Sequence, residues 1–366
     1  MERTIDECFF QIQNGANIKQ GVVDGGFPIT RIETTANDKF NRDRMGYAGI
    51  TDLDKYESYV LEDGDLLMSH INSVQYLGRT ILYEKQDDET IIHGMNLLRL
   101  KARRDIINPA YARYCFYANP FRSQVANITK KSVNQASFAV NDLKKIKISV
   151  PDIEEQNIVV DKLDIIRKII EQRYEELEQL DNLIKARFVE MFGDVVLNTK
   201  NWENYTWDNV LTIKNGKNQK DVENPKGIYP ICGSGGIMNY ADDYITESNS
   251  VIIGRKGNIN NPILMREKFW NVDTAFGLEP NTTVLNVDYL FMFCNFFDFK
   301  ILNKAVTIPS LTKADLLKII IPIPPIELQE RFADFVAQVD KSKVVVKKAL
   351  DEAQILFDSL MQKYFG

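Results

Sequence analysis

The sequence has few of the residues on which catalysis and metal binding most often depend. It contains two histidines, His70 and His93, and four widely separated cysteines with no pair at CxxC spacing. Zinc sites and redox-active disulfides need closely spaced cysteines and histidines. We therefore expect reduced, packed cysteines, no metal ion and no cofactor.

Long apolar runs are also missing. No stretch approaches the roughly 18 apolar residues that cross a bilayer, and the first residues, MERTIDECFF, lack the basic start and apolar core of a signal peptide. The contents of 44% apolar and 26% charged residues are ordinary for a globular chain. These features predict a cytoplasmic protein with no membrane partner.

Motifs of DNA-modifying enzymes are absent. The stretch Asn261–Leu264 lacks the second proline and the aromatic residue with which a methyltransferase stacks a flipped base. The glycines at 233, 235 and 236 are not followed by the Lys-Ser/Thr of a phosphate-binding loop. The single Pro-Asp, Pro151-Asp152, has no acid-x-Lys partner before Asp298, in the other half of the chain. We therefore expect a chain that is not an enzyme.

The acidity of the chain is concentrated in one segment. The net charge is -6, and residues 151–193 contain 6 basic against 11 acidic side chains. Residues 1–150 contain 20 against 19, and residues 194–323 contain 13 against 14. The two larger segments are thus neutral overall, with local basic loops that suit phosphate contacts.

An internal repeat organises the sequence. DLKKIKISVPDIEEQ begins at Asp142, and DLLKIIIPIPPIELQ begins 173 residues later at Asp315, with nine of the fifteen positions identical. The same register then runs without a gap until Phe192-Gly193 aligns with Phe365-Gly366. Unrelated segments would share about one residue, so the pattern indicates duplication of one unit. We expect a function that benefits from being performed twice.

Each repeat ends in a predicted long helix. Residues 152–191 contain no proline or glycine and are rich in Glu, Lys, Arg, Leu and Ile, up to a stop at Gly193. Apolar residues follow a 3,4 spacing that forms a seam in both helices. The seam residues are Leu163, Ile166, Ile170, Leu177, Leu180, Ile184, Val336, Val339, Val346, Leu350, Phe357 and Leu360. Each helix could pack only on its own domain, but two seams of equal length favour an antiparallel coiled coil of the two.

The segments that precede the helices have a different pattern. Short apolar runs at 66–68, 80–83, 251–253 and 319–323 alternate with Gly, Asn, Asp and Pro clusters, which is typical of α+β domains with much loop. Ile12-Gln-Asn-Gly15 resembles Ile213-Lys-Asn-Gly216 near the start of each segment, although the interiors differ in length. The predicted fold is α+β with a pseudo-twofold repeat: domains over 1–151 and 194–323, and helices over 152–193 and 324–366.

With these motifs, the chain resembles the specificity subunits of type I restriction-modification systems over its whole length. The most specific elements are the entries Asp142–Gln156 and Asp315–Gln329, with their long helices ending in Phe-Gly. The stretch Val251–Ile259, with its Arg-Lys-Gly, also looks like the strand and loop before a recognition surface. Its counterpart Leu66–Ser73 departs from that pattern because it lacks the Arg-Lys-Gly.

The resemblance implies two target-recognition domains, each of which reads one half of a bipartite site in double-stranded DNA. It implies that the helices space the domains and dock two modification (methyltransferase) subunits. Restriction subunits would join through these, and methylation and ATP-dependent cleavage would belong to the partners. A helix of about 40 residues spans about 60 Å, enough to hold two domains on major-groove faces roughly 34 Å apart.

Basic and amide side chains in the loops are the candidate DNA contacts, because lysine and arginine bind phosphates while arginine and amides read base edges. In the first domain they fall in three loops, at residues 31–47, 69–75 and 130–135: Arg31, Lys39, Arg42, Arg44, His70, Asn72, Lys130, Lys131, Asn134 and Gln135. In the second domain they are Ser234, Asn239, Tyr240, Arg255, Lys256, Asn258, Thr307 and Lys313. The alternative is a coiled-coil scaffold that holds two protein partners apart without DNA, which the acidic net charge favours.

Overall fold

The computed structural model describes residues 1–19, 21, 25–132, 135–303 and 309–366. The chain divides into two compact units. Unit 1 contains residues 1–172 and 350–366, and unit 2 contains residues 173–349. Each of the two long helices is therefore shared between the units.

The helices of the described residues include two of 40 residues each. The helices are α1 (Ile5–Cys8), α2 (Pro109–Tyr117), α3 (Asn119–Ile128), α4 (Val140–Leu143), α5 (Ile153–Phe192), α6 (Trp207–Val210), α7 (Val287–Phe296), α8 (Lys313–Leu316) and α9 (Ile326–Phe365). The long helix predicted over 152–191 is thus α5. It begins where Asp152 Oδ1 accepts a hydrogen bond of 2.8 Å from the amide of Glu155. It ends at Gly193, whose φ of +74° favours glycine.

The strands of unit 1 form three small sheets. They are β1 (Glu2–Thr4), β2 (Phe9–Asn14), β3 (Leu66–Ser69), β4 (Ile71–Asn72), β5 (Thr80–Leu82), β6 (Leu97–Ala102), β7 (Lys130–Lys131), β8 (Ala136–Ser137) and β9 (Lys147–Ser149). The largest sheet has the order β2-β6-β3-β5, and the others are β4-β8-β7 and β1-β9. All of these pairs are antiparallel.

The strands of unit 2 repeat two of the three sheets of unit 1. They are β10 (Glu203–Thr206), β11 (Leu211–Asn215), β12 (Tyr229–Gly233), β13 (Gly236–Ala241), β14 (Ser250–Gly254), β15 (Ile263–Met265), β16 (Trp270–Asn271), β17 (Ala275–Pro280) and β18 (Ile320–Ile323). The order β11-β17-β14-β15 matches β2-β6-β3-β5, and β10-β18 matches β1-β9. The third sheet, β13-β12-β16, contains a parallel pair. Among the described residues of unit 1, isolated bridges take its place: Ile29 pairs in parallel with Ile92 and antiparallel with Gly46.

Strand register confirms that the large sheets are equivalent residue by residue. Ile12 faces Leu100, which also faces Leu66. In unit 2, Ile213 faces Leu278, which also faces Val251. Gly15 and Gly216 follow at the same place, and a Cβ on either would lie 1.8 Å from a carbonyl oxygen of a neighbouring segment. The similar Ile-x-Asn-Gly stretches therefore share a requirement for close backbone approach.

The core of each unit includes parts of both long helices. In unit 1, Val159 and Leu163 of α5 share a cluster with Phe365 of α9, and Lys162 Nζ lies 3.5 Å from the hydroxyl of Tyr364. In unit 2, the ring centroids of Phe188 and Phe332 are 5.3 Å apart. In each unit, then, the start of one long helix lies beside the end of the other, so the paired segments are antiparallel.

Every seam residue named from the sequence is buried or half-buried. Phe188 and Phe192 were missed, although both are 0% exposed in the core of unit 2. After Leu180 and Ile184 the 3,4 spacing falls on Arg187 and not on its neighbour Phe188, and Arg187 instead pairs with Glu190 at 2.7 Å. The helix segment here packs on its domain as well as on its partner helix, so its apolar face is wider than a coiled-coil seam.

The four cysteines are buried free thiols. Burial raises the pKa of the Cys8 thiol to about 11 and that of Cys232 to about 12. A thiol held protonated is a poor nucleophile and a poor metal ligand. Among the described residues, no helix is long and apolar enough to span a bilayer, and no group of His, Cys, Asp or Glu side chains has the arrangement of a metal site.

Candidate nucleic-acid interface

The loop after β14 presents the most exposed cluster of predicted contact residues in unit 2. Arg255, Lys256 and Asn258 are all exposed, directly after five buried strand residues. The loop backbone is held in place: the Arg255 amide donates to Thr274 O at 2.8 Å, and the Gly257 amide donates to Pro309 O at 3.0 Å. The Arg255 side chain is itself oriented, with a hydrogen bond of 3.4 Å from its guanidinium to Asp273 O. A fixed backbone with exposed cationic and amide side chains suits contact with DNA because little order has to be gained on binding.

Other predicted residues of unit 2 differ in how accessible they are. Ser234 follows β12 beside the same loop, because a Cβ on Gly254 would lie 3.0 Å from the Cβ of Ser234. Tyr240 is exposed on β13, and the Asn239 amide donates to Glu223. Lys313 is turned inward, with its Nζ 2.7 Å from Ile213 O. Lys313 therefore already holds a structural hydrogen bond.

Unit 1 brings two of its three predicted loops together. Ile71 and Lys130 both face Ser137 across the sheet β4-β8-β7, so Asn72 lies in the same small sheet as Lys130 and Lys131. Both lysines and Gln135 are exposed. The Asn72 side chain accepts from the Ser73 amide at 2.8 Å and donates to Ser69 Oγ at 3.3 Å. This sheet forms a basic and amide-bearing surface.

His70 occupies the position in unit 1 that Arg255 occupies in unit 2, because β3 and β14 have equivalent registers. Its side chain is buried, with its ring centroid 6.3 Å from that of Phe138. Burial lowers the pKa of His70 from its usual value. The imidazole is therefore neutral at pH 7 and offers no positive charge to a phosphate.

The third predicted loop of unit 1, residues 31–47, has much of its charge engaged. The Arg42 guanidinium makes hydrogen bonds of 2.8 and 2.6 Å to Glu89, and hydrogen bonding to Arg42 holds the pKa of that carboxyl down at about 2. Lys39 Nζ lies 4.0 Å from Glu171 of α5. Arg31 is half-buried and Arg44 is exposed. Asn134 and Thr307 lie outside the described residues.

A groove lies beside the long helices at the same place in each unit. In unit 1 it is lined by Arg113 and Tyr114 of α2, Arg167 and Ile170 of α5, and Phe357 of α9. In unit 2 it is lined by Phe291 and Met292 of α7, Ile184 of α5, and Asp340 and Lys343 of α9. The repeat register equates Arg167 with Asp340 and Ile170 with Lys343. The grooves therefore share a position but differ in charge.

Comparison with known proteins assigns the chain to a family. The family model for the type I restriction modification DNA specificity domain matches residues 2–179 and again residues 199–353. Together these matches cover most of the chain, one in each repeat. The chain therefore belongs to this family, and its function is DNA recognition as a type I specificity subunit.

Individual relatives agree with this assignment. A protein of Methanocaldococcus jannaschii, assigned as the MjaX type I restriction enzyme specificity subunit, is 26% identical over 381 residues, which cover 96% of this chain and 89% of the relative. The EcoKI specificity subunit of Escherichia coli K12 is 23% identical over 155 residues, covering 42% of this chain and 33% of the relative.

Two solved structures share the fold. The S subunit of the type I restriction-modification system from M. genitalium superposes with a TM-score of 0.64 at 16% identity, over 100% of this chain and 96% of that one. A chain from a study of type I complex assembly and conformational transition gives a TM-score of 0.56 at 17% identity, over 100% and 97%. The α+β fold predicted from the sequence is thus confirmed.

Proposed function

We propose that residues 1–151 and residues 194–323 are two target-recognition domains, each of which reads one half of a bipartite site in double-stranded DNA. The helices over 152–193 and 324–366 set the gap between the half-sites and dock two modification subunits. Methylation belongs to those subunits, and ATP-dependent cleavage belongs to restriction subunits that join through them. We further propose that the complex acts in the cytoplasm, where its DNA target lies.

The repeated sheet with unlike loops is the single observation that carries this proposal. The sheets β2-β6-β3-β5 and β11-β17-β14-β15 share order and register. The loops that follow β3 and β14 differ in charge and burial, with a neutral His70 where unit 2 exposes Arg255. One framework with two different surfaces fits a protein that reads two different half-sites.

Base reading is assigned to the exposed arginine and amide side chains. Arginine makes bidentate hydrogen bonds to guanine in the major groove, and Asn and Gln make them to adenine. Among the described residues we assign it to Arg255, Asn258 and Gln135, which are exposed, and to Asn72, which is half-buried. Lys130, Lys131 and Lys256 are assigned to phosphates, which fix register without reading sequence.

Docking of two modification subunits is supported by exposed apolar residues that the repeat duplicates. Leu183 of α5 and Leu356 of α9 are related by the repeat register and are 48% and 50% exposed. Other apolar residues of these helices are also exposed, among them Ile165 of α5 and Val345 of α9, but their counterparts in the repeat register are polar. The equivalent grooves beside the helices add a second repeated feature. Two equivalent surfaces suit two copies of one partner, because each copy then meets the same contacts.

A binding measurement tests the proposal. We expect the purified chain to bind its duplex weakly and to gain affinity when the modification subunits are added, because neutral domains and acidic helices neutralise few phosphates on their own. Methylation mapping in cells that express the chain with its modification subunits supplies the recognised site. Fluorescence anisotropy with that duplex then gives Kd with and without the subunits, over a range of salt concentrations.

Two outcomes contradict the proposal in different ways. Nanomolar specific binding by the chain alone at physiological salt would contradict the need for partner subunits. Binding of the modification subunits with no sequence-dependent DNA binding at any salt concentration would favour the scaffold that holds two proteins apart.

A further inference from the structure

Each long helix contains one fully buried glutamine in its first turn. Gln156 of α5 and Gln329 of α9 are both 0% exposed and are related by the repeat register. A buried amide destabilises a fold unless its donors and acceptors are hydrogen-bonded. The hydrogen-bond partners of the two glutamines therefore show which segments these side chains connect.

Gln156 connects the start of α5 to the segment before α2. Its Oε1 accepts a hydrogen bond from the backbone N–H of Asn108 at 2.8 Å, and its Nε2 donates to the carbonyl oxygens of Ile106 and Pro151, both at 2.9 Å. Ile106 and Asn108 lie just before α2, whereas Pro151 lies just before α5. One side chain thus ties the helix to the recognition domain.

Gln329 makes the same three hydrogen bonds in unit 2. Its Oε1 accepts a hydrogen bond from the backbone N–H of Asn286 at 2.8 Å, and its Nε2 donates to the carbonyl oxygens of Val284 at 3.0 Å and Pro324 at 2.8 Å. Asn286 precedes α7 as Asn108 precedes α2. The arrangement is therefore duplicated atom for atom, although the loops of the two units have diverged.

A buried tyrosine completes each arrangement. The hydroxyl of Tyr111 in α2 donates to Ser149 O at 3.2 Å, and that of Tyr289 in α7 donates to Pro322 O at 2.7 Å. Both acceptors lie in the short strand that leads into the long helix. We call Gln156, Asn108 and Tyr111 the first joint, and Gln329, Asn286 and Tyr289 the second joint.

Hydrogen bonds fix orientation in a way that apolar packing does not. An apolar contact tolerates sliding and rotation, whereas a hydrogen bond weakens steeply once its angle departs from linearity. A buried polar network whose members are all satisfied specifies one arrangement. Each joint therefore holds its domain at one angle to its long helix.

We propose that Gln156 and Gln329 are positioning residues that restrict the complex to one gap length between the two half-sites. The inference rests on the function proposed above, because it requires the domains to read DNA and the helices to space them. A domain of about 150 residues has a radius of gyration of roughly 15 Å. A tilt of about 10° at the joint then moves its surface by roughly 3 Å, close to the 3.4 Å rise of one base pair.

The test compares methylation of two duplexes by complexes assembled with the modification subunits. One duplex contains the mapped site, and the other contains the same half-sites with a gap one base pair longer. Gln156→Met and Gln329→Met keep the side-chain length but remove the three hydrogen bonds. Gln172→Met, at an exposed position of α5, is the matched control.

We expect the ratio of the methylation rate on the longer gap to that on the native gap to rise at least about tenfold in both joint variants. The ratio stays at the wild-type value in Gln172→Met, and the half-site sequences stay unchanged. Because it is a ratio within one preparation, it does not depend on how much protein is active. A stability loss alone lowers both rates and leaves the ratio constant.

An unchanged ratio in folded Gln156→Met and Gln329→Met complexes, even with a lower Tm, overturns the inference. If these variants do not fold, Tyr111→Phe and Tyr289→Phe decide, because each removes one hydroxyl from a joint; a wild-type ratio in both also overturns it. A wild-type complex with no sequence-dependent methylation contradicts the proposed function as well, whereas an unchanged ratio contradicts only the role of the joints.

Discussion

The loops that follow the equivalent strands β3 and β14 differ far more than the strands do. β14 leads into exposed Arg255 and Lys256, whereas β3 leads into buried His70. The strands nevertheless pair with the same neighbours in the same register. The strands that hold each unit together are therefore the same in both units, and the loops distinguish one unit from the other.

The joints extend this comparison to side chains. Gln156 and Gln329 have equivalent partners at nearly equal distances, while the lining of the grooves beside the helices changes from Arg167 to Asp340. The hydrogen bonds that orient each unit are duplicated, whereas the loops after β3 and β14 and the charges that line the grooves differ. Four predictions test this contrast, beginning with the helices that both units share.

The largest expected change in the recognised DNA site comes from lengthening α5. Inserting four residues after Leu177 adds about 6 Å of helix, and four residues keep the apolar seam nearly in phase. The gap between the half-sites should lengthen by up to roughly two base pairs at 3.4 Å each, with both half-site sequences kept. Methylation mapping of the variant reads out both properties. Altered half-site sequences with an unchanged gap would mean that the helices do not set the gap.

Arg255→Ala should relax base choice in only one half-site. If Arg255 reads a base edge, its loss costs about 1–3 kcal/mol of discrimination at one position. Competition binding with duplexes changed one base pair at a time measures it, and Lys226→Ala, an exposed lysine of the same unit, is the control. Unchanged selectivity in Arg255→Ala would remove the loop after β14 from base reading.

An acid-sensitive contact should distinguish unit 1 from unit 2. Hydrogen bonding to Arg42 depresses the pKa of Glu89 to about 2 from its ordinary value of 4.5. A depressed pKa contributes stability above the unfolded value, and this contribution is lost as pH falls from about 4.5 to about 2.

Glu89→Gln should therefore lower stability by about 1–2 kcal/mol at pH 7 and by little at pH 2. Thermal unfolding as a function of pH, with hydrogen exchange over residues 80–92, provides the measurement. Glu247→Gln in unit 2 is the control, because the ion pair of Glu247 with Lys268 is exposed, at 54% and 38% of the two side chains, and is screened by solvent. An equal pH dependence in Glu89→Gln and the wild type would contradict the prediction.

The smallest effects on DNA binding are expected from replacing single lysines. Lys130→Ala in unit 1 and Lys256→Ala in unit 2 should each weaken binding to all sequences alike. Each should lower the slope of log K against log salt concentration by about 0.9, since each contacts one phosphate. Titrations at several salt concentrations give the slopes. A change of base preference in either variant would show that the lysine reads a base.

The sequence predicted the long helices closely because their signal is local. Forty residues without glycine or proline followed by Gly193 define α5 by themselves. The shared sheet was not predicted, because its strands have only three to six residues and pair across long separations. The duplicated Asn-x-x-Tyr of α2 and α7 was visible in the sequence, but its meaning required the hydrogen bonds to strands β9 and β18.

Contact residues were harder to predict because exposure depends on distant partners. Arg42 was a reasonable basic candidate, but Glu89, 47 residues later, engages its guanidinium. Lys313 is likewise held by Ile213, 100 residues earlier. The loop after β14 was easier to predict, because Gly254 and Gly257 flank Arg255 and Lys256, and both side chains are exposed.

The division of the long helices between the units has a consequence for synthesis on the ribosome. Unit 2 is one continuous stretch, whereas unit 1 needs residues 350–366 to complete its core. At about 5–20 residues per second, the first 172 residues wait roughly ten to forty seconds for that segment. The apolar faces of Val159, Leu163 and Tyr111, which share a cluster with Phe365, remain uncovered by it meanwhile. The unit translated first is thus the last to be completed, and a chaperone that covers this face has its opportunity in that interval.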